Sequence, residues 1–174
     1  MPSTKLSELA RPFDPNDLTW KPVATSRDRS MARVVPYVTN RAIMDRLDLV
    51  CGPEGWRNEY RPGPNGGLLC GLSIRIVRED GTAEWVTKWD GAENTDIQPV
   101  KGGLSASMRR AAVQWGIGRY LYRMPPVHAR IDERGRLAER PAFPEAVSDR
   151  RVPAPRPAPI RPSPRPVNGR TVAA

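Results

Sequence analysis

Residues 68–92 read LLCGLSIRIVREDGTAEWVTKWDGA. Apolar side chains recur at Leu72, Ile74 and Ile76, the alternation breaks at Asp80-Gly81, and a second alternating run carries on to residue 92. A period of two places successive side chains on opposite faces of a strand, and Asp-Gly between two such runs suits a tight turn, so the stretch predicts a β-hairpin. Just upstream, WRNEYR at residues 56–61 alternates like a third strand, and PGPNGG supplies the turn that joins it to the hairpin. Three antiparallel strands leave one face in need of cover.

Two helices are available to cover it. After Thr39, a residue type that caps helices well, the run NRAIMDRLDLVCG sets Ile43, Leu47, Val50 and Cys51 at i, i+4, i+7 and i+8, and Gly52-Pro53 ends it. Beyond the sheet, SASMRRAAVQWG repeats the pattern at Met108, Ala112 and Trp115, so the second helix is expected to start near Ser105 and reach at least Trp115. The fold class is therefore α+β: a helix, three-stranded antiparallel sheet, helix core. Residues 1–30 read as a polar lead-in with occasional apolar anchors, 31–126 as the core, and 127–147 as a weakly ordered exit with one hairpin around Glu133-Arg134-Gly135.

Residues 148–174 differ in kind. Proline alternates there with small or basic residues, and six arginines stand against the single acid Asp149. So little apolar surface cannot offset the entropy of ordering, which predicts a disordered or polyproline II tail acting as a tether. The tail holds about +5 of the formal +9, leaving roughly +4 for the folded part. A pI near 10.4 attracts polyanions, nucleic acid foremost.

Other chemistries find less support. Cys51, Cys70 and the single histidine, His128, lack metal-ligand spacing, so no metal or cofactor is expected. No apolar run of about 18 residues occurs and no secretory leader is visible, which points to an intracellular protein, cytoplasmic or at the nucleoid, with reduced thiols. Asp90, Glu93 and Asp96 form an acidic loop that a metal-dependent nuclease would use, but no second cluster completes such a site. Trp20, Trp56, Trp85, Trp89 and Trp115 either stack on bases or pack in the core.

On the second helix, Arg109, Arg110, Val113 and Gln114 project from an arc other than that of Met108, Ala112 and Trp115, given 100° per residue, so the two guanidiniums are expected to leave the core side together. Lys101, Gly102 and Gly103 precede them and place backbone amides close by, an arrangement that suits phosphate.

The string KGGLSASMRRAAVQWGIGRYLY closely resembles the signature of the single-strand-annealing proteins of the Rad52/Rad22 type, particularly the bacterial DNA damage response protein A-like and phage branch. YVTNRAIMDRLDLVCGPEGW resembles the same family's first helix and its glycine-tryptophan, here Gly55-Trp56, and the likeness runs from about residue 14 to 126. It implies a protein that binds single-stranded DNA and anneals strands as an oligomeric ring, without a covalent step. It also implies that Arg109 and Arg110 hold phosphates, with Lys101 and Arg41 as weaker candidates. The tail then meets DNA or a repair protein. Departures are Ala106 where an acid is usual, Arg109 for a lysine, Val113 for a further basic residue, and Pro53 for an aromatic. A double-stranded RNA-binding module shares the helix, three strands, helix order, but it occupies about 70 residues, fewer than this core needs.

Overall fold

The computed structural model describes residues 6–93 and 99–143. Two helices and two three-stranded antiparallel sheets make up the fold. Strand β1 (Leu18–Thr25) pairs with β2 (Met31–Val38), and α1 (Asn40–Cys51) follows. Then come β3 (Trp56–Pro62), β4 (Leu68–Val77) and β5 (Ala83–Ala92), the helix α2 (Pro99–Gln114) and the short strand β6 (Val127–Arg130).

The central sheet, ordered β3-β4-β5, is the one the alternation predicts. Trp56, Asn58 and Tyr60 lie opposite Ile74, Leu72 and Cys70, and Ile74 and Leu72 lie opposite Val86 and Lys88, so these residues share one face. Leu72, Ile74 and Cys70 are buried there with Ile43 and Leu47 of α1 and Met108 and Ala112 of α2. Burying a Leu or Ile side chain contributes roughly 1.5–3 kcal/mol each, so this seam is the main source of stability. Thr39 caps α1 by accepting from the Ala42 amide, and the Trp56 indole donates to Asp48, tying α1 to β3.

Two expectations need correction. The lead-in supplies β1 and the exit supplies β6, and both join β2, at the start of the expected core, in a second sheet ordered β1-β2-β6. Its pattern was masked because β1 keeps only Leu18 and Trp20 buried, and because β6 pairs with a strand about a hundred residues earlier. Trp20, Ala32, Val34 and Ala129 form its own small core, with Phe143 stacked on Trp20 at 4.8 Å. The second correction concerns α2, which begins at Pro99, not near Ser105, so Lys101, Gly102 and Gly103 lie within its first turns. Glycine's low helix propensity hid that start, and the packing of α2 on β4 and β5 outweighs it. At the exit, the Ile131–Leu137 bridge and the bond from the Asp132 amide to the Arg136 carbonyl make the turn around Gly135. The Pro/Arg-rich tail lies outside the described residues.

Candidate nucleic-acid interface

The end of α2 is shaped by the GIG step. Gly116 and Gly118 take φ of 93° and 66°, a left-handed backbone that other residues adopt only with strain, and the chain doubles back there into a 3₁₀ turn at Arg119–Arg123. Ile117 and Leu121 are thereby buried, Tyr120 accepts a bond from the Phe13 amide, and Tyr122 is left 70% exposed. Arg119 donates to the carbonyls of Val113 and Gln114, closing the helix end, so its role is structural.

Between this turn, α2 and the β1-β2-β6 sheet lies a cleft of about 410 Å³. Lys21, Val35 and Tyr37 line the sheet side, Arg109, Arg110 and Val113 the helix side, and Tyr122 its mouth. Arg109 is half-buried: its guanidinium stands 5.3 Å from the centre of the Tyr37 ring and donates to Ser105 Oγ at 2.7 Å. Burial lowers its pKa from the ordinary arginine value, while Tyr37 and Tyr122 pull the other way. A guanidinium stays charged through such shifts. Arg109 is thus a cation held in place by an aromatic ring and a hydroxyl.

Arg110 is directed elsewhere. It pairs with Asp90 of β5 at 2.9 Å, and Gln114 donates to the same carboxylate. Burial pushes the Asp90 carboxyl up, but bonds from the Gly91 amide, Arg110 and Gln114 outweigh it and hold it below the ordinary value. The two arginines, a pair in sequence, therefore splay, one toward each sheet. Lys101, two turns before Arg109 on α2, and Arg41, in the first turn of α1, are exposed and outside the lining of the cleft.

The sheet contributes residues that the sequence reading passed over. Lys21 lies opposite Val35, and Arg33 opposite His128. Residues two apart share a strand face, so Lys21, Arg33, His128 and Arg130 continue the cleft as an exposed basic surface. Tyr37 carries the one usable signal, an aromatic in an alternating run just before a capped helix. Of the tryptophans, Trp20, Trp56 and Trp115 have indole N–H groups bonded within the fold, to Pro141 O, Asp48 and Leu72 O. In the acidic loop, Asp90 is engaged by Arg110 and Asp96 lies outside the described residues. Among the described residues no three His, Cys, Asp or Glu side chains come together as a metal site, and no helix is long and apolar enough to cross a membrane.

A helix-backed sheet with an arginine-bearing helix beside a basic cleft defines the class, and comparison with known proteins supplies the family. The model of the Rad52/22 family double-strand break repair protein matches residues 2–131, well over half of the chain, and the chain belongs to that family. It is 35% identical over 135 residues to single-stranded DNA-binding protein DdrA of Deinococcus radiodurans, covering 74% of this chain and 62% of that one. The protein of the same name from Deinococcus deserti is 35% identical over 127 residues, 70% of this chain and 60% of its own length. This chain thus spans less than two thirds of either relative's length.

Proposed function

We propose that this chain binds single-stranded DNA and promotes annealing of complementary strands in recombination or repair, acting as an oligomeric ring and making or breaking no covalent bond. The observation that carries the reading is the cleft: a fixed arginine, Arg109, on the wall, a second at Arg110, and a basic strand face at Lys21, Arg33 and Arg130 along the floor. Such cations contact phosphates and leave bases free, which a second strand must test for annealing to occur. Lys101 and Arg41 contribute as outlying contacts, and the Pro/Arg-rich tail adds nonspecific attraction. One subunit offers a short cleft, and cyclic repetition extends it along a strand. Membership of the Rad52/22 family and the relatives named single-stranded DNA-binding proteins support the same reading.

The test is the double substitution Arg109→Ala with Arg110→Ala. Alanine is a better helix former than arginine, which offsets part of the roughly 1–3 kcal/mol lost with the Tyr37 and Ser105 contacts of Arg109 and the Asp90 pair of Arg110, so melting should fall by some degrees while the fold and the oligomer mass hold. Binding and annealing should be nearly lost, and in the unsubstituted protein log affinity should fall with log salt by about 0.7 per phosphate contacted on a single strand. Full annealing by the double variant, or preference for duplex RNA over single-stranded DNA, overturns the reading.

A further inference from the structure

The 3₁₀ turn at Arg119–Arg123 sends three large side chains to three sides. At three residues per turn, neighbours point about 120° apart. Leu121 is buried in the core, Tyr120 is half-buried with its hydroxyl accepting from the Phe13 amide, and Tyr122 stands 70% exposed at the cleft. The turn itself is pinned. Gly118 sits against β2, where an added Cβ would meet Val38 Cγ1 at 3.2 Å, and Arg119 bonds back to the carbonyls of Val113 and Gln114. A fixed turn thus holds a large ring in water. One exposed aromatic is ordinary on a protein surface, but this one stands at a cationic cleft.

The cleft around it is more apolar than its arginines suggest. Val35, Val113, Leu121 and Met124 line it beside Lys21 and Arg109, and among the described residues no carboxylate does. Phosphates alone call for no apolar wall. Arg109 lies close enough to Tyr37 and Tyr122 for both hydroxyls to pull its pKa upward, so the cation and the exposed ring are neighbours. Tyr37 already has the guanidinium over its own face, 5.3 Å from the ring centre, which leaves Tyr122 as the open ring.

We infer that Tyr122 is a base-stacking residue of the cleft: where the phosphate of a nucleotide lies on Arg109, a base of the same strand stacks on the Tyr122 ring. A nucleotide carries both an anion and a flat aromatic, and the cleft offers a partner for each. An apolar protein segment is the poorer occupant, since it would cover Arg109 and Lys21 without neutralising them. Every base has a stacking face, so the contact accepts any sequence, with purines favoured for their stronger stacking. A base held there is withheld from the incoming strand, and the bases between one subunit's tyrosine and the next stay free to pair. The inference deepens the single-strand reading and rests on it for the path of the strand.

The experiment titrates the full chain with a labelled oligonucleotide of adenines and with a strand of the same length and backbone whose bases are removed. Tyr122→Ala should bind the adenine strand at least about fivefold more weakly, the low end of the roughly 1–3 kcal/mol of one base–aromatic stack at tenfold per 1.4 kcal/mol, and Tyr122→Phe should bind like the unsubstituted protein. Salt separates the stack from a charge contact: Tyr122→Ala should keep the slope of log affinity against log salt, where Arg109→Ala lowers it by about 0.7. On the abasic strand, Tyr122→Ala and the unsubstituted protein should bind alike, since no base is there to stack. Melting and mass in solution should hold throughout, the ring being exposed. Equal affinity of Tyr122→Ala and the unsubstituted protein for adenines overturns the inference, as does an equal loss on the abasic strand, or a loss that comes with a fall in mass. Where the Arg109 and Arg110 double variant loses the strand and Tyr122→Ala does not, the inference falls and the cleft reading stands; full binding by the double variant overturns both.

Discussion

The two sheets are built from the same kind of strand and held by opposite means. The β3-β4-β5 sheet comes from one contiguous stretch, with each strand paired to its neighbour in sequence and one face sealed by both helices. The β1-β2-β6 sheet closes only when the chain returns after nearly a hundred residues, and its separate core has four buried residues, Trp20, Ala32, Val34 and Ala129. Local pairing against a large core makes a sheet that stands by itself, whereas a sheet closed from far away depends on its few long-range contacts. That second sheet is the one that carries the cleft floor, so the proposed binding surface sits on the less self-sufficient half.

The largest expected effect breaks this comparison at its weak side. Trp20 is nearly buried, stacks on Phe143 and donates to the Pro141 carbonyl, so it joins β1 to the returning chain. Trp20→Ala is expected to lose about 3–5 kcal/mol. Hydrogen exchange should show amides of β1, β2 and β6 losing protection first while β4 and β5 keep theirs. Equal loss in both sheets shows one cooperative unit instead.

Leu72→Ala is the counterpart on the strong side. Leu72 is fully buried between the sheet and both helices, and its removal should lose about 2–5 kcal/mol. Here the whole molecule should unfold in one transition, seen as a fall in melting temperature with coincident far- and near-ultraviolet circular dichroism.

A third expectation concerns alkaline pH and belongs to the central sheet alone. Burial pushes the Cys70 thiol up to about 11, and burial together with Cys70 pushes Tyr60 up to about 12. In the unfolded chain the thiol ionises near 8.5, so between that pH and about 11 the unfolded state holds fewer protons than the folded one. Stability should therefore decline as pH rises through this window. Cys70→Ala should flatten the decline, as followed by urea midpoints from pH 8 to 10.5.

The same contrast explains what the sequence made legible. Alternation at Leu72, Ile74 and Ile76, the Asp80-Gly81 turn and the capped helix after Thr39 are local signals, and the structure follows them closely. Strand β6 has no such signal: only pairing of Arg33 with His128 and Ala32 with Ala129 makes VHAR a strand. The lead-in is likewise ordered from a distance, by Arg46 of α1, which donates to the carbonyls of Glu8, Arg11 and Pro12 and lies over Phe13. For the candidate site, helical spacing placed Arg109 and Arg110 off the core stripe. It could not show that Tyr37 takes one and Asp90 the other, because both partners come from strands remote in sequence.

The smallest expected effect turns on those two arginines, one directed at each sheet. Arg109 is held on Tyr37 at the cleft and needs no rearrangement to face a phosphate, whereas Arg110 is engaged by Asp90 and must give up that carboxylate first. The Arg110 side chain is 52% exposed and that of Asp90 21%, so water screens the pair from the arginine side and it is worth about 0.2–1 kcal/mol. Asp90→Asn removes the charge; its one oxygen can still accept from the Gly91 amide, and Gln114, which donates to the other carboxylate oxygen, can turn its own amide to accept from the new NH2. It should leave the melting temperature within a few degrees and release Arg110 to the strand. At tenfold in affinity per 1.4 kcal/mol, the gain for single-stranded DNA should be about 1.4- to 5-fold at low salt. It should disappear when Arg110→Ala is added and persist when Arg109→Ala is added. The four proteins of the Asp90–Arg110 double-mutant cycle, with Arg109→Ala alone and with Asp90→Asn added to it, all titrated with one labelled oligonucleotide, separate the two contacts. Equal affinity with and without Asp90 at low salt means that Arg110 stays with the central sheet and that Arg109, over Tyr37, carries the helix side of the cleft by itself.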